Sequence, residues 1–462
     1  MKHSVARTPQ KLFPIAAFLI GICYVFVTPP FQVPDETNHF YRIIQIAQGD
    51  FIPEKRGDKT GGVIPISVVR VGQSFIHKIA HFPDNKIEKA TFTNALREPL
   101  NPLDTMYCSF PNTCLFTPVS YLPQLLFIVP GLKFELPPIW LIYGGRISSV
   151  LISVLLLTIA IRLLPAFHWS FFAFLLLPMF CQQMASLSAD AFLNSLSLLL
   201  LAIGIRVAFT DNILTANTLM KILPVTLLLA CCKSGYLFLI LLFLLPVFTL
   251  TDKTKKKHWI LLVVVLFICA AGISAAWSTV IKGTFSPYGN PDINPDVSIA
   301  FIKSNPLQYA GMVVKNLLKN LAFYVYGVVG YLGWLDTKIP LILTLLYLVL
   351  IVAVVYAENI GQFEFSFLQH LLLLFIAATT VVIVITSQYL FTGAGGSPEI
   401  VPSQGRYFLP IILPLLFIVR VKRFSRFPAE WVNNNLHRII PAITIGGAFC
   451  VMLVIINRYY IH

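Results

Sequence analysis

Long apolar runs separated by short polar breaks cover most of the chain. They fall at 12–28, 139–162, 168–188, 191–209, 217–232, 235–251, 258–281, 340–357, 367–391, 406–421 and 438–457. A helix needs roughly 20 mostly apolar residues to cross the hydrocarbon layer, with about 17 as a lower limit. The pattern therefore predicts an all-α polytopic membrane protein. Two further apolar stretches, 117–132 and 311–333, are ambiguous by length, so the count lies at about 11–13 helices.

Basic residues decide between these counts, because cytoplasmic loops carry the excess of Lys and Arg. Lys2, Arg7 and Lys11 precede the first run, and Thr28-Pro29-Pro30-Phe31 after it offers no small-residue cleavage site. A signal-anchor helix with its N-terminus in the cytoplasm is expected. The strongest later cytoplasmic markers are Lys253-Thr-Lys255-Lys256-Lys257 and Lys422-Arg423 with Arg426. Six spans precede the lysine run if 117–132 does not cross, so that stretch reads as a juxtamembrane or re-entrant segment, broken by Pro118, Pro123 and Pro130. By the same parity 311–333 does not cross singly. Lys315 and Lys319, one turn apart, suit an interfacial helix there. The result is a single membrane domain over 1–462 with eleven spans and the C-terminus outside. Its three outer regions are 29–138, 282–339 and 392–405, the first holding juxtamembrane helices.

Composition agrees. Hydrophobic residues make up 57% of the 462 residues and charged ones 12%, about half the roughly 25% of a soluble domain. The net charge of +14 could suggest nucleic acid. However, the basic residues flank apolar runs and show no zinc-ligand spacing or RNA-binding signature, so they fit membrane topology and lipid headgroups instead. Cys23, Cys181, Cys231, Cys232, Cys269 and Cys450 lie in apolar runs, where cysteine acts as a small hydrophobe. Cys108 and Cys114 flank a turn-forming Pro-Asn in the first outer region. They are a disulfide candidate, with two free thiols as the alternative.

Candidate chemistry gathers on the outer side. Pro34-Asp35-Glu36 reads as a helix start, with Asp35, His39 and Arg42 on one face. Such a face can activate a hydroxyl and hold a phosphate, or simply cap an amphipathic helix. Asp190, in Ser188-Ala-Asp190, either caps the helix after it or joins Asp35 as a base or cation ligand. Arg146, Lys233 and Arg406 are the basic groups on that side. Arg406 and Lys233 sit in tight connections, whereas Arg146 also suits an interfacial anchor. Trp334 is either a belt aromatic or a sugar platform beside Asp336. No Walker A, HExxH, GxGxxG after a strand or GxSxG elbow is present.

The order transmembrane helix, Pro34-Asp35-Glu36, helix resembles the start of GT-C glycosyltransferases such as lipid A aminoarabinose transferase and protein O-mannosyltransferases. With Ser188-Ala-Asp190, Gly333-Trp334-Leu335-Asp336 and Gln404-Gly405-Arg406-Tyr407-Phe408, it is similar along nearly the whole chain to the polytopic family "domain of unknown function 2142". The resemblance implies a polyprenyl-phosphate sugar donor and an envelope glycan or glycolipid acceptor. It also implies an active site on the periplasmic face of a bacterial inner membrane. Under it Asp35, Glu36 and Asp190 are catalytic, with Asp35 as base, and Asp35 and Asp190 would be the ligands of any Mg or Mn ion. Lys233, Arg406, Tyr407 and Arg146 would bind donor phosphate. His39, Arg42, Trp334, Asp336 and Gln404 would contact acceptor or sugar. A lipid-linked sugar flippase, and a polymerase or ligase using a lipid-diphosphate donor, are the competing functions.

Overall fold

The computed structural model describes residues 8–77, 79–358, 363–418 and 429–461. Lys2, Arg7 and the basic cluster at 422–426 lie outside the described residues. The molecule is an all-α polytopic membrane protein, and among the described residues six helices are long and apolar enough to cross a bilayer.

The long helices are α1 (Thr8–Val27), α7 (Pro138–Leu163), α10 (Asp190–Phe209), α12 (Lys253–Val280), α17 (Phe367–Thr392) and α19 (Ala429–Tyr459). α10 is the most enclosed, packed by α7, by α11 (Ala216–Cys232) and by α18 (Leu409–Ile418). Local sequence sets the boundaries. α1 ends before Thr28-Pro29-Pro30, and α7 opens on Pro138, whose missing N–H would have no partner there. Asp252 accepts from the Thr254 and Lys255 N–H groups at the start of α12, and Ser366 and Gln369 form a capping box on α17.

Two predicted spans take another form. The 168–188 run is not one helix but α8 (His168–Leu175) and α9 (Pro178–Met184). Pro178 cannot donate to the ladder and holds Leu177 extended, with ψ at 142°. Neither piece, of 8 and 7 residues, is long enough to cross alone. The 235–251 run winds as a 3₁₀ helix over Ser234–Phe248. At about 2.0 Å per residue its 15 residues reach roughly 30 Å, where an α-helix would reach about 22 Å.

The 29–138 region holds α2 (Glu36–Ala47), α3 (Ile66–Ile76), α4 (Lys89–Arg97), the one-turn α5 (Pro111–Cys114) and α6 (Leu122–Lys133). It also carries an antiparallel sheet of β1 (Glu54–Arg56), β2 (Lys59–Pro65) and β3 (Thr105–Ser109), in that order, with Gly62 opposite Cys108. Further along come α13 (Pro295–Ser304), α14 (Pro306–Lys319) and α15 (Leu321–Val329). A hairpin of β4 (Tyr331–Leu332) and β5 (Thr337–Lys338) follows, and then α16 (Leu341–Ala357). Cys108 and Cys114 are free thiols rather than a disulfide. Cys108 is held in the sheet and Cys114 closes α5, and burial pushes the two thiols up to about 11 and about 12.

The three polar regions come together at one end of the bundle. Thr60 Oγ1 lies 2.8 Å from Ser286 Oγ, Lys55 Nζ donates to the Phe285 carbonyl, and Gly395 N donates to the Asp292 carbonyl. The C-terminal end of α19 is there too, since Ile87 N donates to the Tyr459 carbonyl. The start of α1 lies at the other end, where Gln10 meets His168 at 2.9 Å. Trp259, close to the lysine run, donates to the Asn212 carbonyl beyond α10.

Candidate functional site

Asp35 precedes the first turn of α2 in the left-handed conformation, at φ 64°. Asp tolerates this region better than most residues, though it is strained there. The twist separates Asp35 from Glu36. The Asp35 carboxylate stays near the surface, accepting from Asn112 Nδ2 at 2.9 Å and from Arg406 Nη2 at 3.3 Å. Asn112 in turn accepts from Asn38 Nδ2 at 2.7 Å, and the Tyr288 hydroxyl meets Asn38 as well. Burial and the nearby Asp35 carboxylate hold the Tyr288 phenol above its ordinary value.

Arg406 is placed by a close backbone approach. A Cβ on Gly405 would lie 2.5 Å from the Gly327 carbonyl carbon on α15, so only glycine lets this turn seat there. Arg406 also donates to the Pro34 carbonyl and to Tyr407 Oη, both at 3.4 Å. A second ion pair stands beside the first: Lys233 Nζ donates to Asp190 Oδ1 at 2.5 Å. The Tyr407 ring lies 5.0 Å from Lys233 Nζ and 5.1 Å from the Arg406 guanidinium, so both cations share one aromatic ring. Phe116 covers Lys233 from another direction at 4.9 Å. The side chains of Arg406 and Asp190 are 3% and 8% exposed, whereas those of Asp35 and Lys233 keep 23% and 22%. Asp35 and Lys233 are thus the groups an arriving molecule meets first.

His39 lies near Asp190, Arg406 and Lys233 but bonds to neither pair. Its Nδ1 lies 2.8 Å from Tyr121 Oη and its Nε2 3.4 Å from Ser188 Oγ, with Phe116 stacked on the ring. Burial lowers its pKa to about 3, the Asp190 carboxylate opposing that shift and Arg406 adding to it. The imidazole is therefore neutral at any physiological pH and serves as a hydrogen-bonding bridge.

Several expected site residues are engaged elsewhere. Glu36 and Arg146 are fully buried against each other, with Arg146 Nε donating to Oε1 at 2.8 Å and Nη2 to Oε2 at 2.5 Å. Glu36 also accepts from the Phe31 and Leu187 N–H groups, and Arg146 donates to the Val25, Thr28 and Pro29 carbonyls. Neither group has capacity left for substrate. Arg42 is buried and donates to Gln45, Phe51 and Phe116, away from Asp35. Asp336 pairs with Arg458 at 2.7 Å and caps the β4–β5 turn through Trp334 N and Thr337 Oγ1. Trp334 Nε1 donates to the Phe31 carbonyl.

Gln404 does reach the site. It lines a tight crevice with Arg406, Pro34, Gln182 and Gln183, in which the Oε1 atoms of all three glutamines and Arg406 Nε are buried without partners. Gln182 and Gln183 stand on α9, the broken part of the 168–188 run. Two amides inside an apolar run were the one signal in the sequence that pointed to them.

Among the described residues no three His, Cys, Asp or Glu side chains gather to hold a metal. Asp35 and Asp190 each face a cationic side chain instead, so the set does not fit a divalent-cation site.

Fold and site define an integral membrane protein whose polar loops build a paired-charge site at one end of its bundle. The chain belongs to the family of predicted membrane proteins DUF2142, whose pattern it matches over residues 18–416. It matches no curated protein and no solved structure.

Proposed function

We propose that the protein is a GT-C-type glycosyltransferase of a bacterial inner membrane. It would move a sugar from a polyprenyl-phosphate donor to an envelope glycan or glycolipid, with its site on the periplasmic side. The observation that carries this reading is the adjacency of the Asp35–Arg406 and Asp190–Lys233 pairs, joined by the Tyr407 ring. One more accessible carboxylate beside two cations is what transfer from a phosphate ester requires.

Asp35 takes the proton of the acceptor hydroxyl as that oxygen bonds to the anomeric carbon. The bond from that carbon to the phosphate oxygen breaks with inversion, and its electron pair goes to the polyprenyl phosphate. Arg406 and Lys233, released from their carboxylates by the incoming phosphate, neutralise the leaving group. Preorganised charges in such roles commonly contribute several kcal/mol. Asn112, itself held by Asn38, donates to the Asp35 Oδ1 atom, which leaves Oδ2 as the basic atom once Arg406 turns to phosphate.

Asp35→Asn tests this cleanly, because Asn keeps the shape, tolerates the left-handed backbone and can still accept from Asn112. Envelope glycan from cells carrying the variant should lack the modification, as in cells without the protein, while the purified variant melts within a few degrees of wild type. Unaltered glycan would refute the assignment. Turnover only with lipid-diphosphate oligosaccharides, or labelled lipid crossing a liposome bilayer without transfer, would support polymerase or transport chemistry instead.

A further inference from the structure

Helix α14 presents three distinct faces. Tyr309, Val313 and Asn316 are buried against the 385–400 region. On the far side Leu307, Val314 and Leu318 form an exposed apolar stripe, with Leu307 88% and Leu318 71% exposed. Between these faces Lys315 and Lys319 stand one turn apart over a groove of about 280 Å³, closed on its other side by the 397–402 segment. Asn316 ties that wall in place by donating to the Ile400 carbonyl at 2.8 Å.

In a membrane protein an exposed leucine stripe at a helix surface belongs against acyl chains. The lysines then lie at headgroup depth. Lys315 has a loose partner, Glu399 at 3.8 Å, with both side chains about two-thirds exposed. Lys319 has no acidic partner among the described residues. A loose exposed pair of this kind is worth little and is readily displaced by a stronger anion.

We propose that this groove is a binding site for the phosphate of an anionic glycerophospholipid. The acyl chains would run along Leu307, Val314 and Leu318, with the phosphate between Lys315 and Lys319. The site is distinct from the Asp35–Arg406 pair and does not depend on the function read there. It does share a wall with it, since the 397–402 segment runs directly into Gln404 and Arg406. An anionic lipid seated here would steady the loop that seats Arg406.

The test is native mass spectrometry of the full-length protein in detergent, offered equal phosphatidylglycerol and phosphatidylcholine with the same chains. Wild type should retain one phosphatidylglycerol in preference to phosphatidylcholine. Lys315→Gln with Lys319→Gln should cut that preference by roughly tenfold to thirtyfold, the weight of two lysines at a membrane surface. Glu399→Gln, which removes the competing carboxylate, should strengthen it several-fold, so the proposal stays testable if the double variant does not fold. Equal retention of both lipids by wild type would overturn the proposal. So would an unchanged preference in the α14 double variant, or displacement by inorganic phosphate with equal affinity.

Discussion

Asp35 and Glu36 are neighbours with opposite fates. Asp35 faces the polar end of the molecule, while Glu36 is sealed with Arg146 in a pair that ties α1, α2, α7 and the 186–188 turn together. Breaking a buried pair strands a charge, which costs about 3–5 kcal/mol, whereas replacing both partners with apolar groups of similar volume is often tolerated. Arg146→Met alone should lower the thermal transition of the detergent-solubilised protein sharply, and Glu36→Leu added to it should recover most of the loss; a further drop would contradict this account. His39 gives a pH dependence of known sign. Its folded value, about 3, lies below the ordinary 6.5, so the unfolded chain binds a proton between them that the folded chain does not. Stability therefore rises with pH across that window and is lost as the solution is acidified. His39→Gln should flatten the fall in melting temperature between pH 6.5 and pH 4.

Among the elements, the broken 168–188 run depends on a distant carboxylate. Glu358, just past α16, accepts from the Trp169 and Ser170 N–H groups and from Ser170 Oγ at 2.7–3.0 Å, capping the start of α8 from another part of the chain. A carboxylate at a helix N-terminus contributes about 1–2 kcal/mol. Glu358→Ala should lower the melting transition by a few degrees and raise amide exchange in His168–Leu175. Unaltered exchange there would show that α8 is held by packing alone. The other half of the same run, α9, delivers Gln182 and Gln183 to the crevice beside Arg406. A continuous helix would have carried them past it.

Across the whole molecule, the polar loops are bound to the last helix. Arg458 donates to Asp336 and to the Ile79, Phe82 and Asn85 carbonyls, clamping the end of α19 to both the β4–β5 hairpin and the 79–85 segment. Arg458→Ala should raise hydrogen exchange in 79–87 and 333–338 together while leaving α2 protected. Loosening of only one segment would show that the two are held separately. The same clamp explains why Trp334 and Asp336 lie outside the candidate site: their hydrogen bonds join loops instead of facing the cleft.

The sequence by itself determined the class of molecule, because a span is a local property. About 20 apolar residues without charge mark a membrane-embedded segment, whatever helical form it then takes. It also marked Asp35, Asp190, Lys233, Arg406 and Gln404, since a polar residue at the edge of an apolar run stands out. What it left open were partnerships. Periodicity places Asp35, His39 and Arg42 on one face, but Asp35's left-handed backbone and the carbonyls around Arg42 send them apart. Glu36 reads like Asp35 until Arg146, 110 residues away, closes over it. Pro178 breaks a run that composition alone reads as continuous, and the buried glutamines of the piece after it gain meaning only beside Arg406. Which charges were left accessible was decided by tertiary structure, because a buried ion is stable only where a distant partner meets it.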